Sequence, residues 1–442
     1  MRTAEPKTLL AWLCDRDRLV YRRFDERFTE VGVRLFGNNP NNPTCGESQF
    51  RRWTGGKLAT MPGPATCQIL EAMWPQYKAE QLFGSPAQAD PQAPANDLEE
   101  RVRMTAEEAL EGADVTASAS ISDNTIDELR DQVTATARQY HRRSPVQAYE
   151  EGDRLRLAIE RQRDRTQVPV QQQQLMILNG QAAALLSVAA FDLGFFPSAR
   201  SLARTAALFG ETTRFTPLQA YADGTLAFIA YHTGNATEAV AKATRALSYG
   251  GLGDTAHRRL QAIKARAHAH LGDVASARQA ILLSAEDAHG KRDELHDDVA
   301  GEFAFTLERL AMSTSTTALL IGDAMQAEAN ARRALDLIQQ RPSEEQSAHV
   351  RAGAAADLAH ARLLADDVDG AADALQPVWD VPAEHRQTGI VVRTARIGHH
   401  LTRPQYHGAQ VPTALRERIE DFNRVSPPHR IGPHVGLLAI ES

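Results

Sequence analysis

Apolar residues along most of this chain recur at i, i+3, i+4 and i+7, which places them on one face of an α-helix. The pattern predicts an almost wholly α-helical protein. In "TIDELRDQVTATARQY" it puts Ile126, Leu129, Val133 and Tyr140 together, behind a Thr125–Glu128 capping box. It lapses in "SPAQADPQAPAND" (Ser85–Asp97), where three prolines and small polar residues offer little to bury. Acidic, poorly periodic residues follow to about Asp123. The expected organisation is a domain over 1–84, a linker over 85–122 and a helical domain over 123–442.

From about Gln171 the pattern repeats. A long helix rich in small residues reaches Gly or Asp, turns, and restarts on alanines, as in "YHTGNATEAVAKATRA", "AHLGDVASARQAILL" and "LIGDAMQAEANARRAL". The turn positions Gly194, Gly234, Gly272, Gly322 and Asp366 are 40, 38, 50 and 44 residues apart. Periods of this size predict an α-solenoid, in which each helical hairpin buries its face by stacking on its neighbours. Ala199, Ala239, Ala277, Ala327 and Ala371 would let paired helices approach closely, and glycine at the turn would take a positive φ. The turn-and-alanine signature of "LGDVASA" and "TGNATEA" resembles that of tetratricopeptide repeats. The usual 34-residue spacing and Trp/Tyr anchors are absent, so the resemblance implies a degenerate, longer-helix version.

The first domain has its own pattern. In "ESQFRRWTGGK" a helix would set Phe50 and Trp53 on one face, leave Glu47, Arg51 and Arg52 around the others, and stop at Gly55 and Gly56. "PGPATCQILEAMW" then restarts a helix with Ile69, Leu70 and Met73 facing inward. With Ser48, the Gly56-Lys57 pair, Pro62–Pro64 and the closing "ILEAMW…AEQLFG", this block resembles the Cro/λ-repressor-like helix-turn-helix family, in the form joined to tetratricopeptide-like domains in actinobacterial regulators. The resemblance implies that this helix reads double-stranded DNA. Glu47, Ser48, Gln49 and Arg52 would then face bases, and Arg51 and Lys57 would contact phosphate. One departure stands out: "GNNPNNPTCG" (Gly37–Gly46) occupies the place of the short helix that precedes the reading helix in that family. Either that helix is shifted into "RFTEVGVRLF" or the motif is eroded.

Charge sets the first block apart. Residues 1–84 carry twelve Lys and Arg against nine Asp and Glu, whereas the remaining residues carry 37 against 47 within an overall charge of −7. Any nucleic-acid contact would be local to the first block. A single module with a few base contacts, each worth about 1–3 kcal/mol of discrimination, binds weakly alone. A homodimer on paired half-sites is the expectation.

Catalytic chemistry finds no footing in the motifs. Cys14, Cys45 and Cys67 are widely spaced with no CxxC, fitting neither a disulfide framework nor a zinc site. The histidine pairs at His268/His270 and His399/His400, and His296 beside Asp297 and Asp298, lack the HExxH spacing of a metalloprotease. "GGKL", "HGKR" and "GGLGD" are not phosphate loops. "HRR" at His141–Arg143 reads as a complement to a helix dipole. With no apolar run of membrane length and no signal peptide, a cytoplasmic chain that is not an enzyme, has no cofactor or metal and has no membrane partner is expected.

A solenoid without a catalytic motif is expected to be a recognition surface. Asn179, Gln181, Tyr231, His232, Asn330 and Arg332 are the candidate liners for a peptide or small-molecule effector. In layout the chain is similar to the peptide-pheromone receptors that Gram-positive bacteria use in quorum sensing. The resemblance implies a transcription regulator whose effector shifts the placement of its DNA-binding heads. The alternative is a protein-interaction scaffold with a degenerate helix-turn-helix that does not bind DNA.

Overall fold

The computed structural model describes residues 6–86, 95–286 and 289–430. Among them the chain is all-α, and it divides into two compact units, Met1–Leu110 and Glu111–Ser442.

The first unit contains α1 (Leu9–Arg16), α2 (Tyr21–Phe36), α3 (Glu47–Thr54), α4 (Pro64–Met73) and α5 (Ala79–Leu82). Their apolar faces meet in a core of Leu9, Leu10, Leu13, Phe24, Phe28, Trp53, Ile69, Leu70 and Trp74. Polar ties fix the ends: the Trp74 indole donates to Asp17 Oδ2 at 2.9 Å, and Thr8 Oγ1 donates to the Trp53 carbonyl at 3.2 Å. Between α2 and α3, residues 37–46 form turns and extended chain, and "RFTEVGVRLF" is the second half of the continuous 16-residue α2. No short helix therefore intervenes directly before α3.

The segment expected to be a linker is in part a helix, α6 (Ala95–Ser118), and the division between units falls within it; residues 87–94 lie outside the described residues. The expected capping box is also displaced. Helix α7 (Asp123–Gln139) starts three residues earlier than that box requires, so Thr125 sits in its first turn and Glu128 instead accepts from Asn124 Nδ2 at 2.8 Å. Ser122, in extended conformation, occupies the N-cap position.

After α8 (Pro145–Arg163), the second unit is built from helical hairpins: α9 (Pro169–Asp192) with α10 (Phe196–Thr213), α11 (Thr216–His232) with α12 (Ala236–Leu247), α13 (Asp254–His270) with α14 (Val274–Ala285), α15 (Leu307–Leu320) with α16 (Ala324–Gln339), and α17 (Ala348–Leu364) with α18 (Val368–Ala374). These are repeated, tightly packed units resembling a solenoid. Helices α19 (Gln376–Trp379), α20 (Thr388–His400), α21 (Gln410–Arg424) and α22 (Pro427–Arg430) follow.

A left-handed residue makes every hairpin turn. Gly194, Gly234, Gly272, Gly322 and Asp366 all have φ between 57° and 82°. In the turn at Gly272, the Asp273 amide donates to the His268 carbonyl at 3.0 Å and the Gly272 amide to Ala269 at 3.1 Å, the paired bonds of a Schellman end. The next residue caps the following helix: Asp273, like Asn235, Asp323 and Asp367, accepts from a backbone N–H three residues on. One helix thus stops and the next starts within three residues. The five alanines after these turns are fully buried, and Ser187 and Ser315 each donate to the carbonyl of the facing alanine, Ala199 and Ala327, at 2.8 Å. A larger side chain at those alanines would force the helices apart.

Two irregularities shape the inner face. The longest repeat spacing arises because α14 and α15 are joined by residues 286–306, which include a π-helical turn at Glu294–Val299 and a 3-10 turn at Gly301–Phe303. This insertion carries Glu302 and Phe305 inward. The end of the array also returns to its beginning. Thr388 of α20 donates to the carbonyls of Phe191 and Asp192 at the end of α9, at 2.8 and 3.1 Å, and Val391 and Val392 share a core with Phe191 and Phe196. Helix α9 is long and apolar enough, by length and composition, to cross a membrane, and here it is mostly buried among its neighbours.

Candidate functional site

Two places concentrate chemistry, one in each unit. In the first, α3 is held by its inner face: Trp53 is buried, and Phe50, half-buried, lies 4.7 Å from Phe24 ring to ring. Gly56, at φ 66°, ends the helix, and the Lys57 amide donates back to the Arg52 carbonyl at 3.0 Å. The outer face is polar. Glu47, Ser48, Arg51, Arg52 and Lys57 are exposed and Gln49 is half-buried. Arg51 Nη2 rests 2.5 Å from Glu47 Oε1, an exposed pair four residues apart that contributes little to stability. These six sequence candidates therefore share one short helix and its C-terminal turn.

In the second unit the first helix of each hairpin, together with α20 and the insertion, lines a partly open cavity of about 120 Å³. Helical periodicity assigns the lining: Arg259, Ile263 and Arg266 from α13 are spaced i, i+4, i+7, and Thr225, Phe228 and His232 from α11 are spaced i, i+3, i+7. Val188, Phe191 and Asp192 come from α9, Arg309, Met312 and Ser313 from α15, His349 from α17 and Arg393 from α20.

The electrostatics are organised around Glu302. Its carboxylate accepts from the Tyr221 hydroxyl at 3.1 Å, lies 3.4 Å from Arg309 Nη2 and has His141 Nε2 at 3.0 Å. Burial works to raise its pKa, but Arg309, His141 and Arg259 outweigh it and hold the acid down at about 2. Asp192 behaves oppositely. Burial and the charge of Glu302 push it up to about 8, so near neutral pH it keeps its proton while its Oδ2 accepts from the Tyr140 hydroxyl at 3.0 Å. Burial, with His141 and Arg393 nearby, pushes His349 down to about 3, and burial with Arg396 and Arg266 pushes His270 down to about 4. The cavity thus carries arginines and one ionised glutamate, with burial disfavouring the charged forms of His232, His349 and Asp192 around them.

Two of the arginines stand without counterions. Arg259 donates to the Tyr221 carbonyl and Thr225 Oγ1, at 3.2 and 2.9 Å, and stacks 4.0 Å over the Tyr221 ring. Arg266 donates to Ser313 Oγ at 2.9 Å and to the Tyr231 hydroxyl at 3.3 Å, while its Nε has no acceptor. Each residue is 7% exposed, and neither is ion-paired among the described residues. Gly224 makes the Arg259 position possible, since a Cβ there would lie 2.5 Å from Arg259 Nη1.

Of the sequence candidates for an effector, Tyr231 and His232 line this cavity. Asn179 and Gln181 are buried on α9 but do not line it. Asn330 and Arg332 lie on α16, the second helix of its hairpin, where Asn330 donates to the Gln326 carbonyl and Arg332 pairs with Glu328. The arginines, Asp192 and Glu302 are not among those candidates. The seven-residue interval between Arg259 and Arg266, on a helix whose other inward positions are alanine and isoleucine, is the signal that points to them. His141, which the sequence presents as a helix-end charge, faces the cavity. Among the described residues no group of three or more His, Cys, Asp and Glu side chains is placed to hold a metal ion. No family model matches the chain, and no curated protein matches it.

Proposed function

We propose that this chain is a DNA-binding transcription regulator whose helical-repeat domain binds an effector and dimerises, with α3 as the reading helix of a helix-turn-helix head. What supports the reading is the division of labour on α3. Phe50 and Trp53 clamp one face into an aromatic core, while Ser48, Gln49, Arg51, Arg52 and Lys57 stand on or beside the other, on a backbone stopped by glycine. A rigid helix with short polar groups near its N-terminus and cations near its end is suited to the major groove and its flanking phosphates. The repeat domain supplies a tetratricopeptide-like frame for the effector, through a cavity lined by its first helices. A ligand that prefers one curvature of the array would shift the spacing of two heads in a dimer.

Binding to DNA from upstream of the protein's own coding sequence tests this. Affinity should fall steeply with salt, and the pair Arg51→Ala/Arg52→Ala should weaken it and flatten the salt dependence. The ten residues of Gly37–Gly46 favour a second reading, since a helix-turn-helix turn usually has three or four. On that reading the first unit is a protein-interaction module, and DNA affinity would be weak and insensitive to the double substitution.

A further inference from the structure

We propose that the repeat-domain cavity binds a small amphiphilic anion, its carboxylate, sulfonate or phosphate head held at Arg266 and its aromatic or aliphatic body lying against Phe191, Phe228, Phe305 and Met312. This rests on the effector-sensing reading above and gives the effector a chemical class.

Charge calls for an anion. Removing a guanidinium from water costs several kcal/mol unless an opposite charge compensates it. Arg309 has Glu302 as partner and Arg393 has Asp357; Arg259 hydrogen-bonds only neutral acceptors and feels Glu302 from beyond contact, and Arg266 is buried against neutral acceptors alone. Protonated Asp192 offers them no charge. Around Arg266 the imbalance deepens, because Arg396, one turn along α20 from Arg393, makes no hydrogen bond or ion pair among the described residues. Burial and the charges of Arg393 and Arg266 push the Arg396 guanidinium down to about 10. An anion beside Arg266 would meet its vacant Nε–H and the field of two further arginines.

Shape calls for an apolar body. The other walls are apolar, with Val188, Phe191, Phe228, Ile263, Phe305 and Met312. Phe191 and Phe228 meet edge to face at 4.7 Å, forming a continuous aromatic wall. An inorganic anion would leave that wall uncovered, and a neutral apolar molecule would leave Arg266 uncompensated. Because Thr388 ties α20 to the end of α9, the end of the array closes back on its beginning beside the site, which favours a compact ligand over an extended chain.

The test compares two fluorescent probes on the full chain: 8-anilinonaphthalene-1-sulfonate and N-phenyl-1-naphthylamine, which share a body and differ in the sulfonate. The sulfonate should bind saturably with one equivalent per chain and at least tenfold more tightly. Arg266→Met should remove that preference and leave the neutral probe unaffected, and Arg266→Lys should restore part of it. Equal affinity for the two probes, or a sulfonate preference that survives Arg266→Met in a folded protein, overturns the proposal. If Arg266→Met does not fold, the unmodified protein decides by displacement. Decanoate should release the bound sulfonate where decanol does not, and equal release overturns the proposal. None of these readouts involves DNA, so failure here with intact DNA binding removes the ligand class alone, whereas loss of DNA binding leaves the probe result standing.

Discussion

Arg393 on α20 and Asp357 on α17 form a buried ion pair, Nε to Oδ1 at 3.0 Å, that ties the last helix of the cavity to the hairpin array. Thr316 on α15 completes it, donating to Asp357 Oδ2 at 2.6 Å and accepting from Arg393 Nη2 at 2.9 Å. Three helices thus share one polar junction in an apolar setting.

Breaking that pair from one side strands a charge. Arg393→Ala should lower unfolding free energy by about 3–5 kcal/mol, because Asp357 is left buried without its counterion. The double variant Arg393→Met/Asp357→Leu should be less destabilised than the single one. Urea denaturation of the three proteins checks both statements, and a double variant as unstable as the single would show that the pair is not what binds α20 to α17.

Stability should peak near pH 6 to 7. His270, His349 and His360 have pKa values pushed down by burial to about 4, 3 and 4, so the unfolded chain binds more protons than the folded one below about pH 6.5. Their contribution is complete above that pH and is lost as pH falls towards 4. Asp192, raised to about 8, works the other way, since the folded chain retains a proton that the unfolded one loses near pH 4. Its effect lowers stability as pH rises from about 4 to about 8. Three histidines outweigh one acid below pH 6.5, and above it Asp192 is the main contributor, with Cys14 and Cys45 joining it in the same direction as pH approaches the free thiol range. Asp192→Asn should therefore remove most of the decline between pH 6.5 and 8, as measured by thermal unfolding across pH.

Turn glycine and packing alanine should differ in cost. Gly272→Ala places a Cβ at φ 71° with no neighbour within 4 Å, and should cost about 1–2 kcal/mol of backbone strain. Ala277→Leu inserts three carbons where the existing side chain is fully buried against the paired helix, and should cost about 1–3 kcal/mol or more and reduce cooperativity. Denaturant unfolding curves distinguish the two: the first should shift the midpoint alone, the second the slope as well.

Cysteine labelling offers an independent check on the first unit. Burial pushes the Cys14 and Cys45 thiols up to about 12, whereas Cys67 is raised less and is half-buried on α4. Iodoacetamide at pH 8 should label Cys67 first, and the other two only when the unit opens. Peptide mass spectrometry reads the order.

The repeats are legible in the sequence because they obey local rules. A turn residue at positive φ, glycine at four of the five, and an alanine five residues on leave marks at fixed offsets, with a capping Asp or Asn beside four of them, so the amino-acid order alone locates Gly194, Gly234, Gly272, Gly322 and Asp366 as the turns. The cavity is less legible because it depends on closure. Thr388 meets Phe191 across 197 residues, and no periodicity encodes that pairing. Asn330 and Arg332 are polar residues of a helical pattern, but their helix is the second of its hairpin, while first helices line the cavity. Composition is a poor guide over 85–122 as well, where an acidic stretch of weak pattern holds the helix α6. Near α3 the residue pattern locates both the aromatic anchor and the polar edge, and Gly37–Gly46 is the non-helical connection that its prolines and glycines imply.

Whether α3 reads DNA is decided by sequencing DNA crosslinked in cells to the full-length protein and to Arg51→Ala/Arg52→Ala at equal abundance. The wild-type protein should occupy discrete sites with paired half-sites about one helical turn apart, or a multiple of it, and the variant should lose them. Absence of enriched sites for the wild type, or unchanged occupancy by the variant, would contradict the account.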